Sequence, residues 1–198
     1  MNTFYIPLKC DNPYVMNKHY TLTFALPSDI DGIMAIEDSA FPQGIRESEE
    51  TFLERLTLFP HGNTVLKEDA TQRSEEKPIG YFCSELWDEI PPAEAKFYAL
   101  GHSMKERHVH RGTILYISSL AVRPGAKGQG RFLFNESIKL LCVANPQIRS
   151  IILLVNELWL PARHIYETEG FRYTEVLKSF FTEHRGTQSD GLLMRKDL

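Results

Sequence analysis

The apolar positions switch between two periods along the chain. "YTLTFAL" (residues 20–26) places apolar side chains at every second position and predicts a strand. "PSDIDGIMAIEDSAF" changes to a helical period, with Ile30, Ile33, Met34 and Ile36 on one face. Ser28 followed three residues later by Asp31 predicts its start. "RESEETFLERLTLF" predicts a second helix, with Phe52, Leu53, Leu56 and Leu58 on or near one side. "NTVLKE" and "PIGYFCSELW" read as strands, separated by the charged "DATQRSEEK", which has no apolar face and reads as a loop. No period persists over residues 88–111, which predict a long connection with at most one short helix. Connections of that length are often functional.

"TILYISSLAV" (residues 113–122) is apolar on both faces and predicts a central strand. A glycine-bearing loop follows, then a helix with Phe134, Ile138 and Leu141 at i, i+4 and i+7. "RSIILLV" is another buried strand. "PARHIYETEG" opens with Pro in a first turn and closes at Gly170, as a helix does. "FRYTEVLKSFF" and "GLLMRK" complete the chain as strands. The order is β-α-α-β-β-β-α-β-α-β-β, an α/β (α+β) fold with a mixed sheet flanked by helices. Residues 1–19 read as an irregular arm and residues 20–198 as a single domain.

Composition narrows the function. The 198 residues suit one domain with its own core. A net charge of −4 argues against general nucleic-acid binding, while leaving room for a local basic pocket. Cys10, Cys83 and Cys142 are odd in number and lack CxxC spacing, which predicts a reduced, cytoplasmic protein. The first residues lack a secretory pattern, and no apolar run reaches the length of a membrane span. Neither nucleic acid nor a membrane is expected as a partner, and oligomerisation stays open.

The most informative stretch is "LAVRPGAKGQGRFLF". It sets Gly125, Gly128 and Gly130 beside Lys127 and Arg131, at the mouth of a helix. Helix N-termini carry unpaired N–H groups and positive dipole charge, and glycines let an anion approach the backbone. The arrangement describes either a pyrophosphate cradle or a tight surface turn with incidental cations. A P-loop is excluded because no Lys-Ser or Lys-Thr follows the last glycine, and G-x-G-x-x-G fails at Arg131, Phe132 and Leu133.

"SSLAVRPGAKGQGRFLF" resembles motif A of the GCN5-related N-acetyltransferases (GNAT), a strand ending Leu-Ala-Val followed by a glycine loop. "VNELWLPARHIYETEGF" resembles the family's motif B, with Ala162, Tyr166, Gly170 and Phe171 at its spacing. The resemblance covers residues 20–198 and implies a mostly antiparallel central sheet. "GYFCSELWDE", "GHS…HVH" and "AFPQGIRESEETFLERLTLFP" look similar to the arylalkylamine (serotonin) N-acetyltransferase branch. Four positions depart from these patterns, and at one of them Lys127 stands where the family has Gln or Arg. Phe132 stands where the family has a small residue, and Tyr116 and Ser118 stand where the branch has histidines.

The resemblance implies acetyl transfer from acetyl-CoA, a cosubstrate, to a primary amine. Leu120, Ala121 and Val122 would pair with the pantetheine arm. Lys127, Gly128, Gln129, Gly130, Arg131 and Phe132 would hold the pyrophosphate, with Arg123 nearby. Asn156 is either a further cofactor contact or a turn-stabilising residue. Tyr166 is expected to protonate the departing thiolate. An amine with a pKa near ~10 must lose a proton before attack. Tyr116, Ser118, Glu85, His108, His110 and water are all candidates for receiving it. His102, His108 and His110 lack a Cys or a well-spaced carboxylate to complete a site, and no metal is expected. The expected acceptor is a small-molecule amine, arylalkylamine-like or polyamine-like. The alternatives are a protein or peptide amine, or a non-catalytic acyl-CoA-binding module.

Overall fold

The structure, a computed structural model, describes residues 6–8, 20–68, 77–126, 128–182 and 186–198. Among the described residues eight strands form one sheet: β1 (Ile6–Leu8), β2 (Tyr20–Phe24), β3 (Asn63–Glu68), β4 (Pro78–Trp87), β5 (Ile114–Val122), β6 (Ser150–Asn156), β7 (Arg172–Thr182) and β8 (Gln188–Asp197). Their spatial order is β1-β2-β3-β4-β5-β6-β8-β7. Only β5 and β6 pair in parallel; every other neighbouring pair is antiparallel. The helices are α1 (Ile30–Ala40), α2 (Glu49–Leu58), α3 (Gln129–Ala144) and α4 (Leu160–Thr168). From Tyr20 onward this is the expected order. The structure adds β1, which pairs with β2 with Ile6 opposite Leu22, inside the stretch read as an irregular arm. Cys10 and the loop expected over residues 69–76 lie outside the described residues.

Local chemistry explains the helix ends. Ser48 caps α2 by accepting the Thr51 N–H at 3.2 Å. At α1 the expected Ser28–Asp31 pair gives way to Asp29. Its carboxylate accepts the Leu26 N–H at 2.9 Å and meets Lys67 at 2.6 Å. Pro161 occupies the first turn of α4, and Gly170 ends its last turn at φ +91°. The 88–111 connection holds two short 3-10 turns, Ala95–Phe97 and Met104–Glu106, where one short helix was expected.

Helices cover both faces of the sheet. On one face, Leu133, Phe134 and Leu141 of α3 and Tyr166 of α4 pack on Phe82, Leu115, Ile117, Ile151 and Leu153. On the other, Ile33, Ile36, Phe52 and Leu56 of α1 and α2 pack on Val65, Tyr81 and Cys83. The 88–111 connection brings Tyr98 against Trp87, Tyr116 and Ile152. Each fully buried apolar side chain contributes about 1.5–3 kcal/mol, so these layers hold the register.

Two irregularities in β5 shape what lies above it. Cys83 faces Ser119 across the β4–β5 pair, but Ser84 faces Ile117. Ser118 is therefore the extra residue of a β-bulge. Beside it, the parallel β5–β6 pairing stops at Ile117 and Leu153. Beyond that point β5 continues to Val122 on β4, and β6 continues to Asn156 on β8. The sheet divides in two and a cleft opens between the halves.

Candidate active site

The cleft encloses about 460 Å³. Its walls come from residues 118–122 of β5, residues 153–155 of β6, Gly130 of α3, and Ala162, Ile165 and Tyr166 of α4. Past Ile117 the β6-facing edge of β5 has no strand partner. Its backbone groups at Leu120, Ala121 and Val122 can pair with an amide-bearing chain as a strand would.

The start of α3 adjoins this edge. Gly128 adopts φ +79°, a left-handed conformation that L side chains rarely take, and no side chain caps the helix. The Gln129 N–H donates to the Ala126 carbonyl at 3.2 Å, and the N–H groups that follow it in the first turn are those an anion meets at a helix start. A Cβ on Gly130 would meet only a Val122 methyl, at 3.8 Å, so the missing side chain leaves space on the cleft wall. Gln129 is buried, and Phe132 packs against the core. The Phe132 ring thus has a place outside the cradle. Arg131 meets Glu169 at 2.7 Å and Arg123 meets Glu68 at 2.9 Å, each half-exposed. Lys127 lies outside the described residues. An anion carrying a long amide arm, as in acetyl-CoA, fits this edge and this helix start.

Asn156 is elsewhere. It is fully buried, its Oδ1 accepts the Leu158 N–H at 2.9 Å, and it is not among the cleft-lining residues. The geometry supports the turn-stabilising role. Its Nδ2 is buried with no hydrogen-bond partner among the described residues.

The expected catalytic side chains do meet in the cleft. Tyr166 is buried beside Phe134, with ring centroids 4.9 Å apart, and lines the cleft. Burial pushes its phenol up to about 12, so it keeps its proton at neutral pH. Tyr116 also lines the cleft and stacks on Trp87 at 4.2 Å. Burial raises its pKa far above the ordinary tyrosine value, which makes it a poor base. Ser118, at the bulge, lines the cleft, and its buried Oγ has no hydrogen-bond partner among the described residues.

The candidate histidines point elsewhere. His108 Nδ1 accepts the Leu86 N–H at 3.2 Å, and its ring lies 4.6 Å from Phe59. His110 borders a separate surface depression with Phe59, His61 and Arg111. Glu85 is buried and bonds His102 Nε2 at 2.6 Å, outside the cleft lining.

The sequence reading missed Glu37. This residue of α1 lines the cleft and is almost fully buried. Oε1 accepts the Glu47 N–H at 2.8 Å, and Oε2 accepts the Tyr81 hydroxyl. Burial pushes its carboxyl up to about 7, although both hydrogen bonds pull it down. A carboxylate poised there can take a proton from an ammonium at neutral pH. The signal available in the sequence was an acid four residues after Ile33, continuing the apolar stripe of an amphipathic helix.

A buried ionic network holds the cleft wall next to Glu37. Glu47 pairs with Arg55, the Arg55 Nη2–Oε1 contact being 2.7 Å, and accepts the Gly101 N–H at 2.9 Å. Burial alone would raise the Glu47 carboxyl, but Arg55 holds it below the ordinary range. These bonds fasten the 88–111 connection so that Tyr98 and Leu100 line the cleft. Among the described residues no group of three His, Cys, Asp or Glu side chains is placed to hold a metal ion. No helix among them is long and apolar enough to cross a membrane.

The sequence matches no protein-family model and no curated protein. Solved structures do match. The loading GNATL domain of CurA from Lyngbya majuscula superposes with a TM-score of 0.73 at 14% identity, covering 90% of this chain and 97% of that one. Arabidopsis thaliana NAA60 in complex with acetyl-CoA gives 0.67 at 21% identity, with 90% and 98% covered. The ribosomal-protein-S18-alanine N-acetyltransferase from Escherichia coli gives 0.63 at 18% identity, with 90% and 93% covered. At these identities the likeness is one of fold.

Proposed function

We propose that this chain, which has the fold of the GCN5-related N-acetyltransferases, transfers the acetyl group of acetyl-CoA to a primary amine, and that the amine belongs to a small molecule. One observation carries the reading. The β5 edge beyond Ile117, Gly130 in the first turn of α3, Tyr166 and Glu37 all border one cleft. Acetyl-CoA would lie along Leu120, Ala121 and Val122, with its pyrophosphate at residues 128–132 and Lys127 and Arg131 nearby. It supplies the activated acyl carbon.

The chain's own groups move the protons. Glu37 takes one from the bound ammonium, which frees the nitrogen lone pair for attack on the thioester carbonyl. The C–N bond forms and the C–S bond breaks. Tyr166 gives its proton to the departing sulfur, and the nitrogen's remaining surplus proton restores it. Ser118, with its unpartnered Oγ, and Tyr116 shape the space around the reacting atoms. The net release is coenzyme A, the amide and the proton left on Glu37.

Tyr98 and Leu100 of the 88–111 connection line the cleft, and a space bordered by this connection suits a small acceptor. The second reading is a protein or peptide amine, favoured by the fold neighbour whose name describes acetylation of a ribosomal protein. The buried free Cys83 suits a reducing compartment, and a cytoplasmic location belongs to the same reading. The test is thiol release from acetyl-CoA against small amines and short peptides, with mass detection of the acetylated product. Binding of acetyl-CoA without turnover of any acceptor would leave a non-catalytic acyl-CoA-binding module instead.

A further inference from the structure

A short chain of hydroxyls joins Glu37 to a second point on the cleft wall. Ser119 of β5 faces Cys83 across the β4–β5 pair. Its Oγ lies 3.0 Å from the Tyr81 oxygen, and the same Tyr81 hydroxyl donates to Glu37 Oε2. Tyr81 is fully buried, whereas Ser119 and Glu37 both line the cleft. A tyrosine hydroxyl has one proton to donate. While Glu37 is ionised that proton is spent on its carboxylate. Ser119 must then donate to the Tyr81 oxygen, which leaves the Ser119 lone pairs for the cleft. Once Glu37 is protonated the order reverses. The Glu47 N–H keeps Oε1 as an acceptor, so the carboxyl proton sits on Oε2 and donates to Tyr81. Tyr81 then donates to Ser119, which leaves the Ser119 O–H for the cleft. Each hydroxyl keeps its own proton, and only torsions turn.

We propose that Ser119 is a second contact for the acceptor: it accepts an N–H of the incoming ammonium while Glu37 is ionised, and it donates to the carbonyl of the amide product once Glu37 has taken the proton. This rests on the acetyl-transfer reading above and adds to it. Glu37 Oε2 and Ser119 Oγ are two hydrogen bonds apart through one oxygen. An alkylammonium has three N–H donors, so one nitrogen can meet both residues. The titratable and charged groups that face Glu37 are Tyr81 and Cys83 of β4, Glu47, and Arg55 of α2. Burial keeps the Tyr81 phenol and the Cys83 thiol protonated, the thiol pushed up to about 12, and Arg55 keeps Glu47 ionised. Among these groups Glu37 is the one that changes charge near neutral pH, and it sets the direction of the chain.

The test uses butylamine, 2-phenylethylamine and the tripeptide amide Ala-Gly-Gly-NH2, each with its N-acetyl derivative, and carries forward the acceptor with the fastest thiol release. In Ser119→Ala, KM for that acceptor should rise about tenfold or more, as expected for the loss of one hydrogen bond to a charged group. kcat should stay within threefold and the Kd for acetyl-CoA within twofold. Ser119→Thr, which keeps the hydroxyl, should restore KM. Product inhibition gives a readout that a packing role does not move. The wild type should bind the N-acetyl product at least threefold more tightly well below the Glu37 titration at about 7 than well above it. Tyr81→Phe keeps the ring and cuts the chain, so this pH dependence should vanish. An unchanged KM in Ser119→Ala, or a pH dependence of product binding that survives Tyr81→Phe, would overturn the proposal and leave acetyl transfer standing. Absence of thiol release with every acceptor, while acetyl-CoA still binds, would defeat both together.

Discussion

The Tyr81 hydroxyl, on β4, donates to the carboxylate of Glu37, on α1, a residue that lines the cleft. The Tyr81 oxygen also lies 3.0 Å from Ser119 Oγ. This contact opposes the burial that pushes Glu37 up to about 7. The base form of Glu37 therefore exists mainly above that pH. A donor to a carboxylate favours the charged form, so losing it raises the pKa further. kcat/KM should rise with pH through an inflection near 7, and Tyr81→Phe should move that inflection in the alkaline direction. Glu37→Gln should lower kcat/KM by about 10²–10⁴-fold and remove the inflection. An unchanged profile in Glu37→Gln would show that another group takes the proton.

Tyr166→Phe keeps the ring that packs on Phe134 and removes the hydroxyl. Turnover should fall about 10²–10⁴-fold, with acetyl-CoA affinity little changed. Single-turnover rates and calorimetric binding measure the two effects separately. A turnover within twofold of wild type at alkaline pH would remove Tyr166 from the mechanism.

Acetyl-CoA should stabilise the fold by about 2.7 kcal/mol at 100 times its Kd, read as a rise in melting temperature. In Gly130→Val the free protein should melt close to wild type, because the new Cβ meets only a Val122 methyl at 3.8 Å. The ligand-induced shift should shrink sharply. A full shift in that variant would place the cofactor elsewhere.

The double change His108→Ala/His110→Ala should leave the neutral inflection of kcat/KM where it is. His108 is tied to the Leu86 N–H, and burial lowers its pKa. Loss of the inflection would assign the proton route to these histidines instead of Glu37.

His102 makes a pH-dependent contribution to stability. Burial opposes its protonation, but the bond to Glu85 outweighs this and raises its pKa above 6.5. A raised folded pKa means the stabilisation is complete below the unfolded value and is lost as pH rises through the folded one. The urea-midpoint difference between wild type and His102→Asn should be largest below about pH 6.5 and should narrow above it. Effects of Glu37 are common to both proteins and cancel. A difference that grows with pH would contradict the pairing.

The strand and helix order was legible in the sequence because side-chain period is a local property. Alternation at Tyr20, Leu22 and Phe24 and the spacing of Phe134, Ile138 and Leu141 need no distant partner to be read. The segment proposed to hold the cofactor is a local feature for the same reason: residues 120–132 run from strand to helix start, and Gly170 follows the short helix that carries Tyr166. Glu37 was not, because its burial depends on Tyr81 of β4, which meets it only once α1 lies on the sheet. The tertiary structure also decided the facing of β5. Tyr116 and Ser118 are two apart, which suggests one face, but the bulge puts Ser119 opposite Cys83 and leaves Ser118 without a cross-strand partner. His108 and Asn156 were likewise read as able to reach the site, and each is held by a backbone N–H away from the cleft lining. Periodicity sets which elements form. Which polar groups are desolvated together, and so which carboxyl becomes a base, depends on contacts between segments far apart in the chain.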